Sequence, residues 1–137
     1  ARDCGGNTMS LPSTLTPVEH RVTQSQLVKY AEASGDRNPL HLDEAFARET
    51  PYGKPIAHGM LVLAFVSELM TKGFGRAWLC GGKLKTRFRA PVFPGQVVRA
   101  TGSLKSADSD SATYTVVVKA EDGTEVITGE AIVPLNT

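Results

Sequence analysis

The pattern of apolar and polar positions along the chain changes near residue 76. Before that point, apolar residues recur at helical spacing, and capping residues or glycines bound each run. Three helices are predicted there, over residues 23–35, 43–50 and 59–73. After that point, segments rich in Val, Thr, Tyr and Phe alternate between apolar and polar residues, as half-buried strands do. Strands are predicted within residues 15–23, 79–90, 96–107, 112–120 and 124–135.

The last predicted helix has almost no polar face, because Ser67 and Glu68 are the only polar residues between positions 60 and 70. A helix this apolar is expected to be covered on nearly every side. Its length of about 21 Å matches strands of about six residues that curl over it. Asp122-Gly123 predicts a hairpin between the last two strands, and consecutive hairpins imply an antiparallel sheet. We therefore predict an α+β domain with the hotdog arrangement, a curved antiparallel sheet wrapped around a central apolar helix.

Length and composition limit the classes of function. The chain has 137 residues and a formal net charge of +1, which suits one folded core and gives no reason to expect nucleic acid as a partner. Its two cysteines, Cys4 and Cys80, form no disulfide framework, so a cytoplasmic location is expected. No apolar run approaches the roughly 20 residues of a membrane span. Residues 1–9 are expected to be a disordered tail or an addition to the natural chain, and residues 10–137 a single domain.

The segment SGDRNPLHLDEAF, residues 34–46, raises the first question of chemistry. It places Asp36 and His41 on either side of Asn38-Pro39. Residues five apart do not share a helix face and proline disfavours a helix, so we expect a shaped loop that brings both side chains to one point. An imidazole can remove and return a proton near neutral pH, while a carboxylate can hold water or orient the ring. The sequence leaves open which group takes the proton.

A second segment, GKPIAHGM at residues 53–60, supplies a candidate backbone donor. Gly59 lies at a predicted helix start, where free N–H groups and the helix dipole favour developing negative charge. A glycine there also lets a substrate approach the backbone closely. His58, at the positive end of that dipole, is expected to stay neutral and to act in positioning or packing. Taken alone, each segment is equally consistent with a structural loop or an ordinary helix start.

Together with FRAPVFPGQ at residues 88–96, these segments resemble in order and spacing the MaoC-like hydratases, which include (R)-specific enoyl-CoA hydratases and 3-hydroxyacyl-thioester dehydratases. The resemblance, over about residues 23–133, implies a homodimeric hotdog enzyme of fatty acid metabolism. Such an enzyme reversibly adds water, by syn addition and without a cofactor, to a trans-2-enoyl thioester of coenzyme A or acyl carrier protein, giving the (3R)-3-hydroxyacyl product. The catalytic residues implied are Asp36, His41 and Gly59, supported by Asn38, His58 and Ser67. The first two would activate water, and the Gly59 N–H would polarise the thioester carbonyl.

Helical geometry predicts a path for the acyl chain along the last helix. At about 100° per residue, Leu63, Val66 and Met70 lie on the side of Gly59, with Ser67 nearer the catalytic pair. We therefore predict that the acyl chain contacts these three apolar residues. Plain core packing is the alternative explanation for the same pattern.

The strand predicted around residues 83–89 has one basic face. Its basic residues are Lys83, Lys85, Arg87 and Arg89. Leu84, Thr86 and Phe88 alternate with them and are expected to pack on the helix. The basic face is expected either to be simply solvated or to meet the phosphates of coenzyme A or an acidic acyl carrier protein.

Other histidine and cysteine chemistry has less support. HLD at residues 41–43 matches half of an iron-binding facial triad, but no further histidine follows His58, so no metal is expected. His20 is expected to be an ordinary surface residue. Cys80 is expected to fill space in the core.

Two other classes of function remain open. One is thioester hydrolysis on the same fold, although the available helical carboxylate, Glu68, points away from the face of Gly59. The other is a non-catalytic partner subunit of a heterodimeric dehydratase, against which the complete catalytic set argues. Because a sheet wrapped around one helix has open edges, we expect two copies to pair through them as a homodimer.

Overall fold

The computed structural model describes residues 11–135, so the tail predicted at residues 1–9 lies outside the described part of the chain. The strands are β1 (Val18–Arg21), β2 (Lys83–Phe88), β3 (Val97–Ala107), β4 (Ser111–Ala120) and β5 (Glu125–Pro134). The helices are α1 (Gln24–Ser34), α2 (Pro39–Leu42), α3 (Glu44–Arg48), α4 (Gly59–Phe74) and α5 (Arg76–Gly81). Within these residues, no helix has the length and apolar character needed to cross a membrane.

The five strands form one antiparallel sheet in the order β1-β3-β4-β5-β2, so β1 and β2 are its edges. Strands β4 and β5 form the predicted hairpin around Asp122-Gly123. Gly123 has a φ of 91°, a backbone conformation that glycine adopts without strain. The local turn signal therefore identified the β4–β5 hairpin correctly.

Helix α4 packs on one face of the sheet and contacts β1, β3, β4 and β5. Its fully buried residues are Val62, Val66, Leu69 and Met70. On the other side of the helix, Met60 is 59% exposed and Ala64 is also exposed. The prediction that α4 would be covered on nearly every side is therefore wrong for a single chain, because the sheet covers only one side of it.

Helix α5 was not predicted, since its last residues were assigned to the strand that follows. A contact with α4 that local sequence does not reveal anchors this helix. Trp78 is buried, and its Nε1 donates a hydrogen bond to Oγ of Ser67 on α4 at 2.9 Å. The same helix leaves Cys80 exposed, so the prediction that Cys80 fills space in the core is wrong.

His20 connects the edge strand β1 to α4. Its Nε2 lies 2.7 Å from Oε1 of Glu68, and its ring stacks on Phe65 with the centroids 4.5 Å apart. The prediction of an ordinary surface histidine is therefore wrong. The partner residue lies 48 positions away in sequence, which explains why no local pattern indicated the contact.

The placement of the core predicts different effects for two leucines. Leu69 is fully buried, whereas Leu79 on α5 is 68% exposed. We predict that Leu69→Ala lowers the free energy of unfolding by about 2–5 kcal/mol, because it removes buried carbon atoms and leaves a cavity. Leu79→Ala, the matched control, should change it by less than about 0.5 kcal/mol. Urea denaturation measures both, and equal losses would contradict this placement.

Candidate active site

The segment after α1 folds through short-range hydrogen bonds to its own backbone. Gly35, with a φ of 83°, ends α1 in the left-handed conformation that favours glycine. The Asp36 carboxylate then accepts a hydrogen bond from the Asn38 N–H at 3.2 Å, and the Asn38 side chain accepts one from the Leu40 N–H at 3.0 Å. Pro39 begins α2, a position where proline's missing N–H costs nothing. The expectation of a loop throughout is therefore wrong from Pro39 onward; Asn38 followed by proline was the available signal for a helix start.

His41 lies on α2 and is only 8% exposed. Its Nδ1 donates a hydrogen bond to the main-chain carbonyl of Ile56 at 2.7 Å. Because Nδ1 carries the hydrogen, the neutral ring has its lone pair on Nε2. The Gln24 side-chain amide also donates to the His41 carbonyl at 2.9 Å. Both the ring and the backbone of His41 are thus held in place.

His58 contacts both members of the predicted catalytic pair. Its ring stacks on His41 with the centroids 3.9 Å apart, and its Nε2 donates to the Asp36 main-chain carbonyl at 3.1 Å. Burial lowers the pKa of His58 by more than its hydrogen bond to Asp36 raises it, and the nearby His41 lowers it further. The lowered pKa agrees with the expectation that His58 stays neutral. The main cause is burial of the ring rather than the helix dipole.

The predicted pair meets at one point. Asp36, His41 and His58 each contribute an oxygen or nitrogen atom such that these atoms lie within 4.8 Å of one another. The cluster also has the composition of a metal site, because each histidine donates one ring N–H to a carbonyl and keeps its other nitrogen as a possible ligand. The expectation that no metal binds here stays a prediction.

Gly59 is the first residue of α4, so its N–H has no acceptor within the helix. Gly59 and His41 both line a cavity of about 270 Å³ whose walls include Tyr52, Phe88 and Val126. A Cβ added to Gly59 would lie 3.1 Å from Cε1 of Phe88. A side chain at position 59 would therefore crowd the Phe88 ring, which would have to shift by a few tenths of an ångström.

The helix residues predicted to contact the acyl chain lie elsewhere. Val66 and Met70 are fully buried in the core, and Leu63 is half-buried against it. The wall that α4 contributes to the cavity includes Val62 rather than any of these three. Helical geometry placed them on the side of Gly59 but could not show that the sheet covers them. Their contact with an acyl chain stays a prediction without support from the cavity.

The supporting residue Ser67 is also away from this cavity. Its hydroxyl accepts the hydrogen bond from Trp78, which joins α4 to α5. Ser67 is not among the residues that line the cavity. Its proximity to the catalytic pair therefore stays a prediction.

The basic face predicted for β2 is exposed, as expected. It comprises Lys83, Lys85, Arg87 and Arg89, the last following the strand. On the other face, Leu84 packs against the core, but Phe88 is 55% exposed because its ring faces the cavity at Gly59. Sequence reasoning placed Phe88 on the correct face without assigning it to the site. No sequence signal pointed to Tyr52 or Val126 as cavity residues.

With this geometry established, comparisons with known proteins identify the family. Residues 12–127 match the family described as MaoC like domain, and the chain belongs to that family. The (R)-specific enoyl-CoA hydratase of Aeromonas caviae is 38% identical over 120 residues, covering 84% of this chain and 87% of that protein. The 3-hydroxybutyryl-CoA dehydratase of Methylorubrum extorquens is 32% identical over 120 residues, covering 85% of this chain and 74% of that protein.

Comparison with solved structures leads to the same family. The solved structure of the (R)-hydratase from A. caviae involved in PHA biosynthesis superposes with a TM-score of 0.81 and 30% sequence identity. The superposition covers 95% of this chain and 99% of that one. These comparisons confirm the predicted MaoC-like family, the hotdog fold and an enzyme of the hydratase/dehydratase class.

The buried state of His58 predicts how stability depends on pH. Because folding lowers the pKa of His58 from its ordinary value of 6.5, the unfolded chain binds a proton more readily than the folded one. Stability is therefore fully present above that value and is lost as the pH falls below it, by at most about 1.4 kcal/mol per pH unit for one proton. We predict that His58→Gln reduces this decline. Urea unfolding between about pH 7.5 and pH 5.5 measures it, and identical slopes in both proteins would contradict the assignment.

Proposed function

We propose that this chain catalyses the reversible syn hydration of a trans-2-enoyl-CoA to the (3R)-3-hydroxyacyl-CoA. The observation that carries the proposal is the convergence of Asp36 and His41, beside a cavity that His41 shares with Gly59. The similar proteins named (R)-specific enoyl-CoA hydratase and 3-hydroxybutyryl-CoA dehydratase support the same substrate class. Because the reaction is one equilibrium, hydration and dehydration use the same site.

In this proposal, one water molecule is held between the carboxylate of Asp36 and Nε2 of His41. Both groups accept hydrogen bonds, so the water donates to each and keeps an oxygen lone pair for the substrate. The water oxygen bonds to C3 of the enoyl group while one water proton passes to the pair. The pair returns a proton to C2 on the same face, so the enzyme ends with the protons it began with.

The Gly59 N–H has the second role in the mechanism. As the C2–C3 double bond breaks, negative charge builds on the thioester oxygen, and a backbone donor at a helix start stabilises that charge. Because α4 has 16 residues, its aligned peptide dipoles give the helix a partial positive charge at the end where this donor lies. The Phe88 ring lies close to Gly59 in the wall of the same cavity.

The supporting residues hold the pair in position. The main-chain N–H of Asn38 donates to the Asp36 carboxylate, and His58 fixes the Asp36 backbone while it stacks on His41. A neutral His58 also places no second positive charge beside His41 when His41 takes a proton. Ser67 acts at longer range, through its bond to Trp78 that anchors α4.

The first test of the proposal is turnover of crotonyl-CoA. We expect (3R)-3-hydroxybutyryl-CoA as the sole product, and we expect Asp36→Asn and His41→Ala to lower kcat by about 10²–10⁴-fold, because each removes part of the proton-transfer pair. Glu125→Gln, which neutralises an exposed carboxylate at the start of β5, is the matched control and should retain activity. Chiral analysis of the product and progress curves provide the measurements.

Two results of that assay would reject the proposal. Full activity in both site variants would remove Asp36 and His41 from the mechanism. Release of free coenzyme A and crotonate, detected with a thiol reagent, would instead indicate the hydrolase that the fold also permits. A partner subunit without catalytic activity would turn over neither crotonyl-CoA nor the hydroxyacyl product.

We also propose that the active protein is a homodimer. The outer edge of β2 has no strand partner within residues 11–135. Phe88 on β2 is 55% exposed, and Met60, which follows Gly59 at the start of α4, is 59% exposed. A second copy paired along this edge would satisfy the free backbone groups and cover the open side of α4.

The dimer is tested by light scattering at micromolar protein concentration. We expect twice the mass of the chain, because two edge strands that pair satisfy each other's backbone groups. Phe88→Asp, which places a charge at that edge, should shift the population toward the monomer. A monomeric wild-type protein would contradict the proposal.

A further inference from the structure

Helix α1 is connected to both members of the proposed catalytic pair, one at each of its ends. At its first residue, the Gln24 side-chain amide donates a hydrogen bond to the main-chain carbonyl of His41 at 2.9 Å. At its other end, Gly35 turns the chain in the left-handed conformation, and Asp36 follows directly. A helix of 11 residues is about 16 Å long. Helix α1 therefore sets the distance between the start of the Asp36 segment and the backbone of His41.

The carbonyl of His41 needs a hydrogen-bond donor from outside its own helix. Helix α2 has four residues and ends at Leu42, so no later residue of α2 can donate to that carbonyl. A helix this short is not stable by itself and depends on contacts with its surroundings. The backbone hydrogen bond that joins it to the next segment, from the Ile56 N–H to the Leu40 carbonyl, is long at 3.4 Å. The Gln24 amide supplies the donor and holds α2 against α1.

Gln24 is separate from the cap that begins α1. The capping box is formed by Thr23 and Gln26, and the Gln26 amide also donates to the Arg21 carbonyl at 3.1 Å. Gln24 and Gln26 are both half-buried and lie two residues apart in the same helical turn. Gln26 stabilises the helix start, whereas Gln24 reaches the residue that carries the proposed base. The second glutamine is therefore an internal control for the first.

We propose that Gln24 is a positioning residue for the hydration step. Its amide fixes the backbone of His41, while the Nδ1 bond to Ile56 fixes the ring, so that Nε2 faces the water shared with Asp36. The inference rests on the proposed hydratase function and adds a residue that does not line the active-site cavity. Proton transfer requires heavy atoms about 2.6–3.2 Å apart, and a displacement of about 1 Å can lower the rate by about a hundredfold.

The test compares Gln24→Met with Gln26→Met, since methionine keeps the length of the side chain and removes the donor. Gln24→Met should lower kcat for crotonyl-CoA by about tenfold and leave KM within about twofold, because the ring of His41 keeps its bond to Ile56 and the cavity is unchanged. Gln26→Met should leave kcat within about twofold and lower the midpoint of urea unfolding, because it breaks the cap.

A second variant tests whether the lost hydrogen bond is the cause. Gln24→Lys places N–H donors on a side chain of similar reach, so kcat should return to within about threefold of the wild-type value. If kcat stays as low as in Gln24→Met, the donor is not what matters, and the inference fails. An equal loss of kcat in Gln24→Met and Gln26→Met would assign the effect to the stability of α1 and would also overturn it.

NMR of protein that carries isotope-labelled histidine tests the contact without turnover. The Nδ1–H of His41 is bonded to the Ile56 carbonyl, so its exchange with solvent requires α2 to open locally. We expect this exchange to be about tenfold faster in Gln24→Met than in the wild type or Gln26→Met. If the wild-type protein does not hydrate crotonyl-CoA, the proposed function fails, and the exchange rate still decides whether Gln24 holds His41. An unchanged exchange rate, or an unchanged kcat in an active protein, would overturn the inference.

Discussion

The hydrogen bond from Nδ1 of His41 to the carbonyl of Ile56 decides where the remaining lone pair of that imidazole points. Ile56 is the first of four consecutive residues, 56–59, that position the groups of the site. Two positions later, His58 stacks on His41 and holds the Asp36 backbone, and the next residue, Gly59, supplies the N–H at the start of α4. The proposed base, its partner carboxylate and the proposed oxyanion donor are therefore positioned by one short segment. A small shift of that segment would move all three together.

This arrangement places a constraint on His58. Its Nδ1 is buried without a hydrogen-bond partner in the described part of the chain, and burial lowers its pKa. A buried nitrogen left unsatisfied costs about 1–3 kcal/mol. Functional sites often break local rules of stability in this way. The stacked, uncharged ring contacts both Asp36 and His41, and its burial keeps it uncharged where a second positive charge would oppose proton transfer to His41.

Features encoded by neighbouring residues were predictable from the sequence. Thr23 and Gln26 form a capping box at the start of α1, where the sequence places capping residues ahead of the apolar run, and Gly123 forms the expected turn. The convergence of Asp36 and His41 was also expected, since it depends on a short segment with strong turn signals. Features that depend on distant partners were not predictable, including α5, the contact of His20 with α4, and the position of Phe88 over the helix start. Periodicity assigns a residue to a face of an element but does not show what covers that face.

The central claim is that one water molecule is split by Asp36 and His41 on a single face of the enoyl group. Hydration of crotonyl-CoA in D₂O tests it most directly, with the configuration at C2 and C3 of the product determined by NMR. Syn addition by the pair predicts one deuterium at C2, on the same face as the new hydroxyl group, in a (3R) product. Deuterium on the opposite face, or a mixture of both configurations at C2, would contradict it.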